Sequence, residues 1–280
     1  MLARTIPLAL IYDFDGTLAP GNMQERQFIP DVGMTPSEFW AEVDSLAQAH
    51  HADGILAYMF VMLEKARAAG RPVRRDDLVA KSHEIEFFPG VDGWFPRINE
   101  YGRQRGVCVE HYVISSGNSE IIEGTAIADR FTRIYASKFL YDDKGFAVWP
   151  AVAINFTTKT QYLFRINKGA HDWEDSSIIN KFVPLEERPV PFQNMIYIGD
   201  GETDVPCFRL VKDLGGLSIA VYANGAQRRA EQYRKEGRVN SVAPALYLEG
   251  RDLDRAVKSY IDLVAARSTL RRALHPGQDD

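Results

Sequence analysis

Asp13 and Asp15 stand one residue apart in Asp13-Phe14-Asp15-Gly16-Thr17-Leu18, at the end of an apolar run. In a regular strand, residues at this spacing leave the same face. Where the strand ends and the backbone turns at Gly16, both carboxylates converge on one point. Two like charges buried together are costly unless a proton or a cation compensates. A hard divalent cation with oxygen ligands is the natural compensation, and magnesium commonly shares its site with a substrate phosphate. A second acidic segment, Gly199-Asp200-Gly201-Glu202-Thr203-Asp204, follows another apolar run, and its glycines permit a tight backbone approach. Asp200 is expected to complete the metal site begun by Asp13. Asp204, one helical turn later, either meets the metal's water shell or orients a lysine.

Two further signals are weaker alone. Ser115 closes an apolar run, where its hydroxyl and nearby amides can hold phosphate oxygens, and Ser116 beside it competes for that role. Lys159, in Thr157-Thr158-Lys159-Thr160, precedes a helical stretch and can neutralise a phosphate or a phosphoaspartate. Lys168 is the competing lysine, but Asn167-Lys168-Gly169 also reads as an ordinary helix stop with its cation at the negative end. His50-His51 has no carboxylate at ligand spacing and is expected on the exposed side of a helix. Trp40 and Phe60 are expected as helix-packing core.

These side chains need a scaffold that brings strand ends together. The runs 7–14, 107–114, 195–198 and 217–222 are short and apolar, as fully buried parallel strands are. Each ends in small polar residues: the Asp13 turn, Ser115-Ser116-Gly117, Gly199-Asp200-Gly201 and Ala223-Asn224-Gly225. Helical segments such as 91–104 and 118–128 lie between them. This alternation predicts an α/β fold, a Rossmann-like doubly wound parallel sheet, with ligands beyond the carboxyl ends of the strands. The segment 22–87 breaks the alternation with helices and no convincing strand. Thr35-Pro36-Ser37-Glu38 is a capping box, and the apolar spacing of 55–67 closes at Gly70. The segment is predicted as a helical cap subdomain inserted into a core formed by 1–21 and 88–280. Asp142-Asp143-Lys144-Gly145 predicts a hairpin within 134–155, and His275 to Asp280 reads as a frayed tail.

The composition narrows the partners. The chain has 280 residues, enough for a core domain and an insertion, with 45% hydrophobic and 25% charged residues. Its net charge of −5 argues against nucleic acid, and Arg67, Arg71, Arg74 and Arg75 read as a solvated helix end. No apolar run approaches the roughly 20 residues needed to span a bilayer. The N-terminal residues lack a secretory cleavage pattern, and the two cysteines, Cys108 and Cys207, lie far apart. A cytoplasmic protein is expected.

The segments DFDGT, VISS and GDGETD, with Lys159 between the last two, resemble the four motifs of haloacid dehalogenase (HAD) superfamily phosphatases. The insertion after the first motif is similar to the helical cap of the phosphoserine phosphatase-like subgroup. The resemblance covers most of the chain. It implies that Asp13 is a nucleophile and Asp15 an acid/base. It also implies that Asp13, the Asp15 carbonyl and Asp200 bind Mg2+, with Asp204 behind them. Ser115, Ser116, Gly16, Thr17 and Lys159 are then the expected phosphate contacts. The implied activity is hydrolysis of a small phosphorylated metabolite through a phosphoaspartate. A phosphotransferase or mutase, or a non-enzymatic phospho-dependent switch, uses similar groups. A dehalogenase is disfavoured, since carbon–halogen cleavage needs neither Asp15 nor the full metal site.

Overall fold

A computed structural model of the chain describes residues 5–26, 28–173, 177–223 and 225–274; Asn224 and the tail 275–280 lie outside them. Seven strands form one sheet: β1 (Ile6–Tyr12), β2 (Val107–Asn118), β3 (Arg133–Tyr141), β4 (Ala147–Val152), β5 (Met195–Gly199), β6 (Leu217–Tyr222) and β7 (Ser241–Pro244). Their order is β4-β3-β2-β1-β5-β6-β7. Every neighbouring pair is parallel except β3 and β4, which form the antiparallel hairpin. In that hairpin's turn Asp142 Oδ1 accepts the amides of Lys144 and Phe146, and Gly145 takes a φ of 79°.

Helices cover both faces. They are α1 (Met23–Arg26), α2 (Phe28–Asp31), α3 (Pro36–His50), α4 (Gly54–Ala68), α5 (Arg75–Ala80), α6 (Val91–Arg103) and α7 (Ser119–Glu123), then α8 (Phe156–Lys168), α9 (Ser177–Asn180), α10 (Val205–Asp213), α11 (Gln227–Lys235) and α12 (Asp252–Leu274). The side chains of β1 alternate between two apolar layers. Leu8, Leu10 and Tyr12 join residues of α6 and α12 on one face, while Ala9 and Ile11 join residues of α8 and α10 on the other. Burial on both faces explains why this strand is continuously apolar.

From β1 the chain steps one way to β2 and β3, and later the other way through β5, β6 and β7. The sheet therefore has its topological switch point at β1, where open α/β sheets form a crevice at their carboxyl edge. The register pairs Tyr12 with both Val113 and Ile198, so Asp13 stands level with Ile114 of β2 and with Gly199, the last residue of β5.

Between β1 and α6 the chain is helical, with the Thr35–Glu38 capping box formed in both directions. Its apolar residues, Phe28, Phe39, Met59 and Met62 among them, merge with the α6 side of the sheet core. Two expectations are corrected here. Phe60 is not core but 46% exposed, whereas Trp40 packs against the core as expected, partly buried and edge-on to Phe39 and Tyr58. The helix expected at 118–128 ends at Glu123, because β2 runs on to Asn118 and Gly124 closes the helix early. A Cβ at Gly124 would sit 2.5 Å from the Val79 carbonyl oxygen, so close packing on α5 requires glycine there. No helix among the described residues is long and apolar enough to cross a membrane.

Candidate active site

The ends of β1, β2 and β5 and the first turn of α8 meet at the switch point. Asp13 is 6% exposed, and its backbone amide continues the sheet by donating to the Ile198 carbonyl. Asp13 Oδ1 accepts the Phe14 amide at 2.7 Å, which leaves Oδ2 facing Lys159 Nζ at 3.1 Å. Lys159 is fully buried and also donates to Asp204 Oδ1 at 2.7 Å. Lys168, by contrast, donates to the carbonyls of Ile179 and Lys181, away from this cluster.

Asp200 lies over Gly16. A Cβ at Gly16 would come within 2.4 Å of the Asp200 carboxylate, and its φ of 72° is one that glycine adopts without strain. Thr17 Oγ1 approaches Asp200 Oδ1 at 3.5 Å from one side and Arg229 Nη2 reaches Oδ2 at 3.5 Å from the other. Asp204 is bound on all sides: Oδ1 accepts Lys159 Nζ and the Tyr197 hydroxyl, and Oδ2 accepts the Asp200 and Gly201 amides. Gly199 makes this possible, because a Cβ there would meet the Asp204 carboxylate at 2.5 Å.

Asp15 faces the helical segment, and its Oδ1 accepts the Met23 amide at 3.0 Å. Ser115 is buried and its Oγ accepts the Gly117 amide at 3.0 Å. The Ser116 carbonyl takes the Tyr58 hydroxyl at 2.8 Å, while Ser116 Oγ has no partner. His50 and His51 are exposed at the end of α3.

The electrostatics are those of a site short of positive charge. Burial, then the Asp204 charge, raises Asp13 to about 6 against the pull of Lys159. Burial, then Asp204 and Asp13, raises Asp200 to about 7. Burial and the Asp13 charge push Asp15 well above the ordinary carboxylate range. Burial alone would lower Lys159, but Asp13 and Asp204 outweigh it and raise the ammonium. One carboxylate oxygen each from Asp13, Asp200 and Asp204 lie within 4.8 Å of one another. An all-oxygen donor set with unbalanced negative charge fits a hard divalent cation. Asp13 and Asp200 keep free lone pairs to offer it, whereas both Asp204 oxygens are already engaged twice.

The sequence reading did not single out Tyr197. A tyrosine inside the otherwise aliphatic strand β5 was the available signal, since a buried hydroxyl needs a partner. Arg229 and Tyr58 carried no comparable mark.

A family model described as haloacid dehalogenase-like hydrolase matches residues 10–209. An uncharacterized protein of Borreliella burgdorferi is 30% identical over 273 residues, covering 88% of this chain and 93% of the relative. Among solved structures, a HAD family hydrolase of Salmonella enterica serovar Typhi superposes with a TM-score of 0.59 at 14% identity, covering 90% of this chain and 71% of that one. A substrate-bound phosphoserine phosphatase superposes with a TM-score of 0.55 at 15% identity, covering 90% of this chain and 98% of that one. At these identities the structural likeness is one of fold.

Proposed function

As the chain belongs to the haloacid dehalogenase-like hydrolases and is an enzyme of that family, we propose that it hydrolyses a small phosphomonoester through a phosphoaspartate at Asp13. The observation that carries this reading is the convergence of Asp13, Asp200, Asp204 and fully buried Lys159 at the sheet's switch point. Phosphoryl transfer asks a protein mainly for positioning and charge stabilisation. Asp13 attacks phosphorus with the oxygen that faces Lys159. Lys159 offsets charge on the transferring group, and Asp204 holds the ammonium in place. Asp15, kept protonated by burial and by Asp13, gives its proton to the leaving alcohol. The resulting carboxylate takes a proton from the water that cleaves the phosphoaspartate. Ser115, Gly16 and Thr17 are the groups that would contact the phosphoryl oxygens. Asp13, the Asp15 carbonyl and Asp200 would hold Mg2+, which when bound supplies positive charge to the phosphoryl oxygens.

Phosphate release from a panel of small esters tests the reading, and excess chelator is expected to abolish it until Mg2+ is restored. Full turnover in chelator would contradict a metal-dependent site. The raised carboxylates add a sign. Asp13 at about 6 and Asp200 at about 7 hold protons that a cation must displace. Mg2+ affinity is therefore expected to weaken as pH falls through 7 and then 6, by about tenfold per unit for each displaced proton. Calorimetry showing equal affinity at the two ends of this range would refute that assignment.

The helical segment 22–87 is assigned here as a cap over a core made of 1–21 and 88–280. Hydrogen bonds join it to the strand ends: Met23 to both Asp15 and Asn118, Gln24 to Asn118 and Tyr58 to Ser116. A cap so placed excludes bulk water and selects a small soluble ester in the cytoplasm over a phosphoprotein or nucleic acid. Inorganic phosphate with Mg2+ is expected to slow hydrogen exchange in α1 and α4. Unchanged exchange there would make the segment a rigid decoration.

A further inference from the structure

Among the described residues, three buried side-chain atoms without a hydrogen-bond partner fall within 116–120: Ser116 Oγ, Asn118 Nδ2 and Glu120 Oε2. Leaving a buried polar group unpaired costs about 1–3 kcal/mol, so folded chains rarely gather such atoms without a use for them. Two of the three are also oriented by what their residues already do. Glu120 is 3% exposed, and its Oε1 accepts the Phe139 amide at 3.0 Å and the Tyr141 hydroxyl at 2.7 Å. Its Oε2 is left as a fixed acceptor, and no described cation pairs with it. Asn118 is fully buried, with its Oδ1 accepting Gln24 Nε2 at 2.9 Å, which leaves Nδ2 as a donor.

This cluster borders the catalytic acid. A Cβ at Gly117, inside the stretch, would stand 2.9 Å from Asp15 Oδ2. The Tyr58 hydroxyl, bound to the Ser116 carbonyl, is raised by burial and then by the charges of both Asp15 and Glu120. The stretch that carries the unmet atoms thus runs beside Asp15, the residue that gives its proton to the leaving alcohol in the proposed reaction.

We propose that residues 116–120 form the leaving-group subsite, in which Glu120 Oε2 accepts from an ammonium or hydroxyl on the alcohol while Asn118 Nδ2 donates to an acceptor on it. The inference rests on the phosphomonoesterase reading and narrows its substrate to esters of small polar alcohols. A site built to hydrogen-bond a substrate discriminates strongly against analogues that leave its groups unpaired. Buried water filling the same bonds is the competing account, and it gives no such discrimination.

The test compares short alkyl phosphates with chains of equal length ending in ammonium or in hydroxyl, and uses 4-nitrophenyl phosphate as reference. The wild-type protein is expected to favour a polar-ended ester over its alkyl counterpart by at least about tenfold in kcat/KM, mostly through KM. The ammonium and hydroxyl arms show which donor Glu120 takes. Glu120→Gln is expected to collapse the ammonium preference, and Asn118→Ala, an independent variant, to reduce the preference of the favoured ester. Absence of a preference in the wild type overturns the inference, as does a preference kept by both variants. A uniform loss across all esters, including the aryl reference, would make Glu120 a structural prop and also overturn it. Failure of the wild type to release phosphate from any ester would instead bring down the proposed function.

Discussion

Asp13→Asn is expected to lower turnover of every phosphomonoester by at least about 10^4-fold while leaving the fold intact, because the amide cannot form the acyl phosphate. The melting temperature of the metal-free variant is not expected to fall. Burial and Asp204 together outweigh Lys159 in raising Asp13, so the folded site on balance disfavours a charge there. A neutral residue of the same shape relieves that penalty, and Lys159 keeps its bond to Asp204. Mass analysis must accompany the assay, since deamidation restores the aspartate. Undiminished turnover in a preparation free of aspartate would mean that Asp13 does not receive the phosphoryl group.

The second large effect is expected at Lys159. Lys159→Met keeps most of the side-chain volume but leaves Asp13 and Asp204 without their shared buried cation. Removing one partner from such a cluster costs about 3–5 kcal/mol. Turnover at a temperature where the variant remains folded is expected to drop by about 10^2- to 10^3-fold, as when a single preorganised charge-stabilising group is lost. Adding Asp204→Asn removes one stranded carboxylate, so it is expected to recover part of the stability and none of the activity. Lys168→Ala is the contrasting variant. Its ammonium ties down two carbonyls at Ile179 and Lys181, so stability is expected to fall modestly and turnover to stay within a few-fold. The reverse pattern, with Lys168→Ala inactive and Lys159→Met active, would reassign the phosphate-neutralising lysine.

How far the site could be read from the sequence depended on whether its chemistry was local. Asp13 and Asp15, and likewise Asp200 and Asp204, are neighbours in the chain, and each pair follows an apolar run that can only be a buried strand. Their meeting was therefore legible from strand ends in an α/β order. Lys159 was different. Only the packing of α8 beside β2 and α10 separates it from Lys168, and nothing in the local sequence encodes that packing. The residues at 116–120 were less legible still. Asn118 and Glu120 look like ordinary polar residues opening a helix, and their unmet atoms appear only once Gln24, Phe139 and Tyr141 have taken the opposite ends. The shortening of α7 has a similar cause, since Gly124 is required by its approach to Val79, a contact from a distant part of the chain. In the scaffold, the hairpin turn and the Thr35 capping box were readable because both are made by residues within a few positions of one another.

The central claim is that the phosphoryl group passes through Asp13, and trapping it there is the most direct test. The protein would be mixed with radiolabelled phosphomonoester and Mg2+, quenched in acid within a single turnover, and digested for mapping of the label. The expected result is a hydroxylamine-sensitive acyl phosphate on the peptide containing Asp13. It should accumulate further in Asp15→Asn given an ester with an activated leaving group, because that variant forms the intermediate but activates water poorly. Single-turnover phosphate release with no protein-bound label at any quench time, or a label mapped to a different residue, would contradict the account.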